Sequence, residues 1–151
     1  MKARTAALAA LTAVLTAVLT ACAPTPAPRT AVVEVGPVLE FHVEVANTEQ
    51  TQRAGLAGRA LSEGTGMLFP FAEREERQVW MAGTKTAIDA AWIVEGQVLA
   101  TTTLDPCTLP DHSQCPRWTS PGDVDALLEV PAGTLAGSEP GTPVTIREEQ
   151  P

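Results

Sequence analysis

The chain has 151 residues, the size of one domain, and a formal net charge of −8 at pH 7. This acidic balance excludes the broad basic surface that neutralises phosphates, so we expect no nucleic-acid partner. It also argues against electrostatic adhesion to anionic lipid, which needs clustered basic side chains.

The N-terminal segment has the layout of an export signal. Lys2 and Arg4 precede an apolar and threonine-rich run from Ala6 to Thr20, which is too short and too weakly apolar for a permanent membrane span. The run ends in Leu19-Thr20-Ala21-Cys22, which resembles the lipobox of bacterial lipoproteins. An ordinary secretory signal with an incidental cysteine is the alternative.

The lipobox resemblance implies a signal peptide over residues 1–21, cleavage before Cys22 and lipid on that cysteine. Cleavage would remove two basic residues and change the formal charge to −8 − 2 = −10. We therefore expect an exported protein that acyl chains on Cys22, rather than charge, hold at the membrane of the cell envelope.

The mature chain is predicted to begin with a proline-rich tether over residues 22–37, because prolines among small residues favour polyproline II over a packed core. The segment Leu39–Val45 alternates apolar and polar residues, which predicts a half-buried strand of an antiparallel sheet. Asn47 or Thr48 can then cap a short helix that ends at Gly55.

The stretch Gly64–Val94 holds two of the three Phe and two of the three Trp residues, and it predicts the centre of the fold. Short apolar runs bounded by glycine, proline or charge are typical of strands, and similar runs follow this stretch. We predict strands at Met67–Phe71, Val79–Met81, Ile88–Val94, Gln97–Leu104 and Val124–Val130, and we expect Pro143–Arg147 to close the domain. Together they indicate a mainly β fold over residues 38–148, a compact antiparallel β-sandwich or small barrel with one or two short helices, before a tail at 149–151.

Two cysteines, Cys107 and Cys115, lie in the predicted loop Asp105–Asp123. An even pair in an exported protein predicts a disulfide. A metal-thiolate pair is the alternative, but the spacing is wrong for a zinc knuckle and further ligands are lacking. We expect neither a metal nor a cofactor.

Four segments resemble the bacterial and archaeal family called domain of unknown function 192. They are Arg53-Ala54-Gly55-Leu56-Ala57-Gly58-Arg59, Gly66-Met67-Leu68-Phe69, Trp80-Met81-Ala82-Gly83-Thr84 with Ile88-Asp89 soon after, and Leu128-Glu129-Val130-Pro131-Ala132-Gly133. The similarity spans about Leu39 to Ile146. It implies a compact, mainly antiparallel β-sandwich with little helix, and it implies no established activity.

The chain departs from the family pattern at three positions. Ala57 stands where the pattern has Met, Gly83 where it has Asn, and Ala87 where it has Pro. The amide side chain that the pattern supplies is therefore missing at Gly83.

The candidate ligand-binding residues are the four polar members of the shared motifs and one tryptophan: Arg53, Arg59, Trp80, Thr84 and Asp89. The two guanidiniums can clamp a carboxylate or sugar hydroxyls beside Trp80, with Asp89 accepting a hydrogen bond. The structural alternative, which we favour, is that Asp89 pairs with Arg53 or Arg59 and pins the helical segment onto the sheet.

One predicted strand also places Glu40, His42 and Glu44 on the same face, which could form part of a metal site. The strict alternation of this strand favours a solvated polar face instead.

The sequence contains no standard catalytic signature. The leading hypothesis is a monomeric, non-enzymatic envelope module that binds a small polar ligand, a glycan or a protein partner through the candidate residues. The alternative is a hydrolase of envelope polymers that uses Asp89 as acid or base. A structural accessory protein without a pocket is the third hypothesis.

Overall fold

The computed structural model describes residues 27–149, so the predicted signal peptide and Cys22 lie outside the described residues. Within this range the chain forms β1 (Thr30–Val35), β2 (Leu39–Val45), α1 (Glu49–Ala54), β3 (Thr65–Glu75), β4 (Gln78–Trp80), β5 (Ile88–Val94), β6 (Gln97–Leu104), a 3-10 turn (His112–Gln114), β7 (Arg117–Thr119), β8 (Val124–Pro131) and β9 (Val144–Glu149). The predicted mainly β fold with one or two short helices is confirmed. Neither helix in the described range has the length and apolar character needed to traverse a bilayer.

Seven of the strands form one mixed sheet in the order β6-β5-β8-β3-β2-β1-β9. All neighbouring pairs are antiparallel except β2 and β3, so the sheet is mainly antiparallel with one parallel pair. The cause is the connection through α1, since a parallel pair needs a crossover that returns the chain to its starting edge. The sheet does not close into a barrel: β6 meets the segment before β9 through a few backbone bonds, such as Val98 N to Thr142 O at 2.9 Å, but the two strands do not pair.

The predicted tether is wrong from residue 30 onward, because residues 30–35 form β1. This strand pairs with β2 on one side and β9 on the other. Ala31, Val33 and Val35 are buried, so the apolar alternation of this short segment outweighs the prolines that surround it. The domain also extends to Glu149, the last residue of β9, where the sequence predicts a tail.

The seven-stranded sheet buries apolar side chains on both of its faces. On β5, Ala91 and Ile93 point into one core, which also contains the inward side chains of β1 and β2. Ala90 and Trp92 point into a second core on the opposite face, which the turn after α1, the small β4–β7 sheet and the disulfide loop cover. A strand that is covered on both faces, such as β5, is mostly apolar instead of alternating, and Asp89 is the one charged residue of β5.

The short helix α1 ends where the sequence predicts. The Thr48 side chain accepts a hydrogen bond from the backbone N–H of Thr51, and the Thr51 side chain bonds back to the backbone of Thr48, which together form a capping box. Glu49 occupies the first turn and Gly55 ends the helix. Capping has particular weight here, because a helix of this length has little stability of its own.

The long predicted loop contains a strand that the sequence did not reveal. β7 pairs with β4 to form the second sheet, with Val79 opposite Trp118. Cys107 and Cys115 form the predicted disulfide across a separation of 8 residues. In the chain-entropy model, closing such a short loop contributes about 2–3 kcal/mol to stability.

Candidate functional site

A cleft of about 330 Å³ opens above the second core. Its base comes from β3 and β8, one side from α1 and the turn that follows it, and another from β4 and the loop after β4. The residues that line it are Gln52, Arg53, Ala54, Gly55, Leu56, Ala57, Phe69, Phe71, Gln78, Val79, Trp80, Met81, Ala82, Thr84, Leu127 and Glu129. The lining is thus mainly apolar and aromatic with a few polar groups, as in small-molecule sites.

Glu129 is the single acidic residue that lines this cleft. It lies in the middle of the sheet, between Met67 of β3 and Ala90 of β5, and is only 7% exposed. Within residues 27–149 no group forms a hydrogen bond or ion pair with its carboxyl, and burial alone raises the pKa of Glu129 from 4.5 to about 7. An unpaired buried carboxyl is costly, so its presence in a cleft marks a candidate functional group.

The backbone around Glu129 is packed closely enough to require glycine at the neighbouring position of β3. A Cβ atom on Gly66 would lie 2.3 Å from the Glu129 carbonyl oxygen and 2.9 Å from Val130 Cγ1. The glycine of the Gly66-Met67-Leu68-Phe69 motif therefore lets β3 approach β8 beside the buried carboxyl.

Hydrogen bonds hold the two sides of the cleft in place. The Gln52 side-chain amide donates to the Pro70 carbonyl oxygen at 3.1 Å, which ties α1 to β3. The Gly58 N–H donates to the Gly83 carbonyl oxygen at 2.9 Å, and the Gly83 N–H donates to the Cys107 carbonyl oxygen at 2.9 Å. The disulfide loop thus supports the segment after β4, which in turn supports the turn after α1.

Two departures from the family pattern meet at this point of the cleft. Gly83 has φ of +73°, a left-handed conformation that asparagine adopts more readily than other non-glycine residues, so the backbone explains why glycine can replace it. A Cβ built on Gly83 would lie 3.7 Å from the Ala57 Cβ. The two smaller residues are therefore neighbours.

The charged and aromatic groups at the rim of the cleft already have partners. Arg53 forms an exposed i,i+4 ion pair with Glu49. The Arg117 guanidinium stacks 4.4 Å from the centroid of the Trp80 ring, and Trp80 is 42% exposed. Such contacts position the rim side chains but add little stability when solvent screens them.

The structure separates the residues that the sequence grouped as one site. Arg53, Trp80 and Thr84 line the cleft with Glu129. Arg59 instead borders a smaller pocket of about 240 Å³, where it forms a two-pronged ion pair with Glu44, including a 3.0 Å bond. This hydrogen-bonded guanidinium lowers the pKa of Glu44 below its ordinary value.

Asp89 lies on the opposite face of the sheet from the cleft, so the predicted salt bridge with Arg53 or Arg59 is wrong. Its Oδ2 accepts hydrogen bonds from the N–H groups of Gly133 at 2.7 Å and Leu135 at 3.0 Å. Its Oδ1 accepts from the Thr103 hydroxyl at 2.8 Å. Asp89 therefore fastens the turn after β8 to the sheet, although it also borders a groove of about 360 Å³.

The other polar face considered from the sequence is solvated. His42 lies 3.7 Å from Glu40, and both side chains are more than half exposed. Glu40 also lies 3.6 Å from Arg147. Across residues 27–149 no three His, Cys, Asp or Glu side chains are grouped so that they could hold a metal ion.

Glu129 is the site residue that sequence reasoning missed. Alternation along β8 puts Asp125 and Glu129 on the same side as Leu127, which resembles an ordinary solvated face. The overlooked signal is its place in the shared segment from Leu128 to Gly133, where the other members are apolar or turn residues.

The fold and the motifs agree with comparisons to known proteins. A comparison with curated protein sequences gives no match. A structure from Sinorhizobium meliloti, provisionally described as a transcription regulator, superposes with a TM-score of 0.70 at 24% identity, covering 81% of this chain and 97% of its own. A protein of unknown function from Novosphingobium aromaticivorans also gives a TM-score of 0.70 at 24% identity, covering 83% of this chain and 91% of its own. At this identity both comparisons concern the fold.

The sequence model of DUF192, described as an uncharacterized ACR family, matches residues 31–146. The match begins within β1 and ends within β9, so it includes both strands that form the base of the cleft and both segments that form its sides. The chain therefore belongs to the DUF192 family.

Proposed function

We propose that this chain is an exported, lipid-anchored, non-enzymatic module that binds a small molecule in the cleft above Glu129. The observation that carries the proposal is a buried carboxyl without a partner among residues 27–149 in a largely apolar cleft. Burial of such a group lowers stability, which a binding role would explain. A volume of about 330 Å³ suits a small molecule better than a glycan chain or a protein partner.

Binding is favoured over hydrolysis by the arrangement of carboxyl groups. Acid–base hydrolysis commonly uses two carboxyl groups that act together, and Glu129 is the single carboxyl among the cleft residues. Asp89, the acid or base of the alternative hypothesis, already accepts three hydrogen bonds from Thr103, Gly133 and Leu135. The hydrolase hypothesis therefore has no support from the geometry of Asp89.

Blocking the cleft should weaken ligand binding without unfolding the protein. We would titrate the purified full chain with 2-phenylethanol, 2-phenylethylamine and phenylacetate, three probes of similar size, and follow backbone amide shifts by NMR. At least one probe should shift amides in the cleft lining. Ala57→Met should weaken that binding at least tenfold, because Ala57 is exposed on the lining and a longer side chain there fills the space.

Ala136→Met is the matched control, since Ala136 is also exposed but borders the groove beside Asp89. It should leave binding unchanged. If none of the three probes shifts cleft amides, or if the two variants affect binding equally, the cleft is not a binding site.

The anchoring part of the proposal rests on the sequence before residue 27. Cys22→Ser should move the protein from the membrane fraction to the soluble fraction, because stable attachment needs acyl chains that serine cannot carry. Fractionation and mass spectrometry of the native protein would measure both location and added lipid mass. A soluble wild-type protein without added lipid would refute the anchoring assignment.

A further inference from the structure

We infer that the cleft accepts a small organic cation, a protonated amine on an aromatic or apolar body, whose ammonium group pairs with Glu129. This inference rests on the proposed binding function and narrows it to one class of ligand. Three features carry it: the missing partner of Glu129 among the described residues, the aromatic lining of the cleft and the negative charge of the chain.

The first feature is that the cleft offers Glu129 no cation of its own. Arg53 is the single basic residue in the lining, and it pairs with Glu49 on the outer surface of α1. On the two neighbouring strands, the residues opposite Glu129 are Met67 and Ala90, which carry no charge. A bound ammonium would supply the missing charge and hydrogen-bond donors, and such charge-assisted bonds are the stronger kind.

The second feature is the set of aromatic rings that surround the approach to Glu129, namely Phe69, Phe71 and Trp80. Rings of this kind hold the apolar body of a ligand and attract cations to their faces. The protein already uses this attraction twice, with Arg77 over Phe71 and Arg117 over Trp80, each 4.4 Å from the ring centroid. Neither arginine belongs to the cleft lining.

The third feature is the electrostatic field of the whole chain, which carries a formal charge of −8. Such a charge raises the local concentration of small cations and lowers that of anions. Both this field and the carboxyl of Glu129 would repel a carboxylate ligand, and neither would attract a neutral alcohol. The observations therefore favour an amine over the other two chemistries.

Because Glu129 can gain or lose a proton, the affinity of the cleft for an amine should depend on pH. The charged groups near the cleft are Arg53 with its partner Glu49, Arg77 with its partner Glu75, and Arg117. Burial raises the pKa of the Glu129 carboxyl to about 7. An amine that binds the ionised carboxyl must displace its proton below that pH, so its affinity should rise about tenfold from pH 6 to pH 8.

The three probes test the inference directly, because 2-phenylethylamine is cationic, 2-phenylethanol neutral and phenylacetate anionic at both pH values. At pH 8 we expect the amine to bind at least tenfold more tightly than the alcohol or the acid. Glu129→Gln should remove this preference while keeping alcohol binding and the fold. Glu63→Gln, which removes one exposed carboxylate that does not line the cleft, should preserve it.

Two results would overturn the inference while leaving the binding function in place. One is an alcohol or acid that binds at pH 8 as tightly as the amine. The other is an amine preference that survives in Glu129→Gln. Failure of all three probes to shift cleft amides would instead overturn the binding function and this inference with it.

Discussion

Replacing Asp89 with alanine should lower the free energy of unfolding by about 3–5 kcal/mol. Asp89 accepts hydrogen bonds from the backbone N–H groups of Gly133 and Leu135 and from the Thr103 hydroxyl. Leu135 is 3% exposed, so water cannot readily satisfy its N–H once the carboxylate is gone. The turn after β8 would lose its attachment to the sheet. Urea denaturation of the two proteins would measure the difference.

Asp89→Asn is the informative control. The asparagine oxygen can still accept both N–H groups, and its amide can donate to the Thr103 hydroxyl, so we expect a loss of only about 1 kcal/mol. Arg53→Met and Arg59→Met should change stability by about 1 kcal/mol or less, because both arginines form solvent-exposed pairs. If Asp89→Asn proves as damaging as Asp89→Ala, and the Arg59 variant matches it, the salt bridge predicted from the sequence would have to be reconsidered.

We also expect the stability of the protein to change strongly with pH because of one carboxyl group, that of Glu129. Glu129 has a pKa of about 7 in the folded protein and an ordinary value of 4.5 once exposed. Between these values the folded state keeps a proton that the unfolded state has lost, so stability falls as pH rises. Relative to Glu129→Gln, the wild type should lose roughly 3 kcal/mol between pH 4 and pH 8.

The measurement is a pair of urea denaturation series across that pH range. Below pH 4.5 the two proteins should have nearly the same stability, and above pH 7 the variant should be the more stable one by a constant amount. Subtracting the two curves removes the contributions of the other titrating groups. If the free energies of unfolding of the two proteins instead differ by the same amount at every pH, Glu129 is ionised in the folded state or is hydrogen-bonded in both its protonated and its ionised form.

The sequence predicts the strands well wherever one local pattern decides the structure. Strict alternation from Leu39 to Val45 identifies β2, and the Glu95-Gly96 pair between two apolar runs marks the hairpin between β5 and β6. The capping residue Thr48 and the terminating Gly55 fix the short helix α1. These features depend on residues that are close together in the sequence, so the sequence alone is enough to predict them.

What the sequence does not reveal depends on contacts between distant segments. The strand β1 is short and lies among prolines, and its apolar alternation does not indicate that it pairs with β2 and β9. β7 spans Arg117–Thr119 and is extended because β4 pairs with it. In the same way, a parallel β2–β3 pair depends on how the crossover packs and not on composition.

The sequence is also insufficient to predict which candidate site residues lie close together in the folded structure. Shared motifs suggested that Arg53, Arg59, Trp80, Thr84 and Asp89 act together. In the structure three of them line one cleft, whereas Arg59 borders another pocket and Asp89 lies on the opposite face of the sheet. Asp89 and Glu129 lie on adjacent strands, where Asp89 is opposite Val130 and Ala90 is opposite Glu129. A shift of one residue in register places a side chain on the other face, and single-sequence reasoning has no access to that register.

The pairing of β1 with β9 has a consequence for how the domain responds to mechanical force. Thr30 lies opposite Glu149, so the chain enters and leaves the sheet at the same end of this strand pair. A pull that separates these two residues loads the hydrogen bonds of the pair one after another, as in opening a zipper, and each bond resists alone. β9 would therefore peel from the edge at low force, while β3 and β8, which carry the cleft, lie further inside the sheet and stay joined.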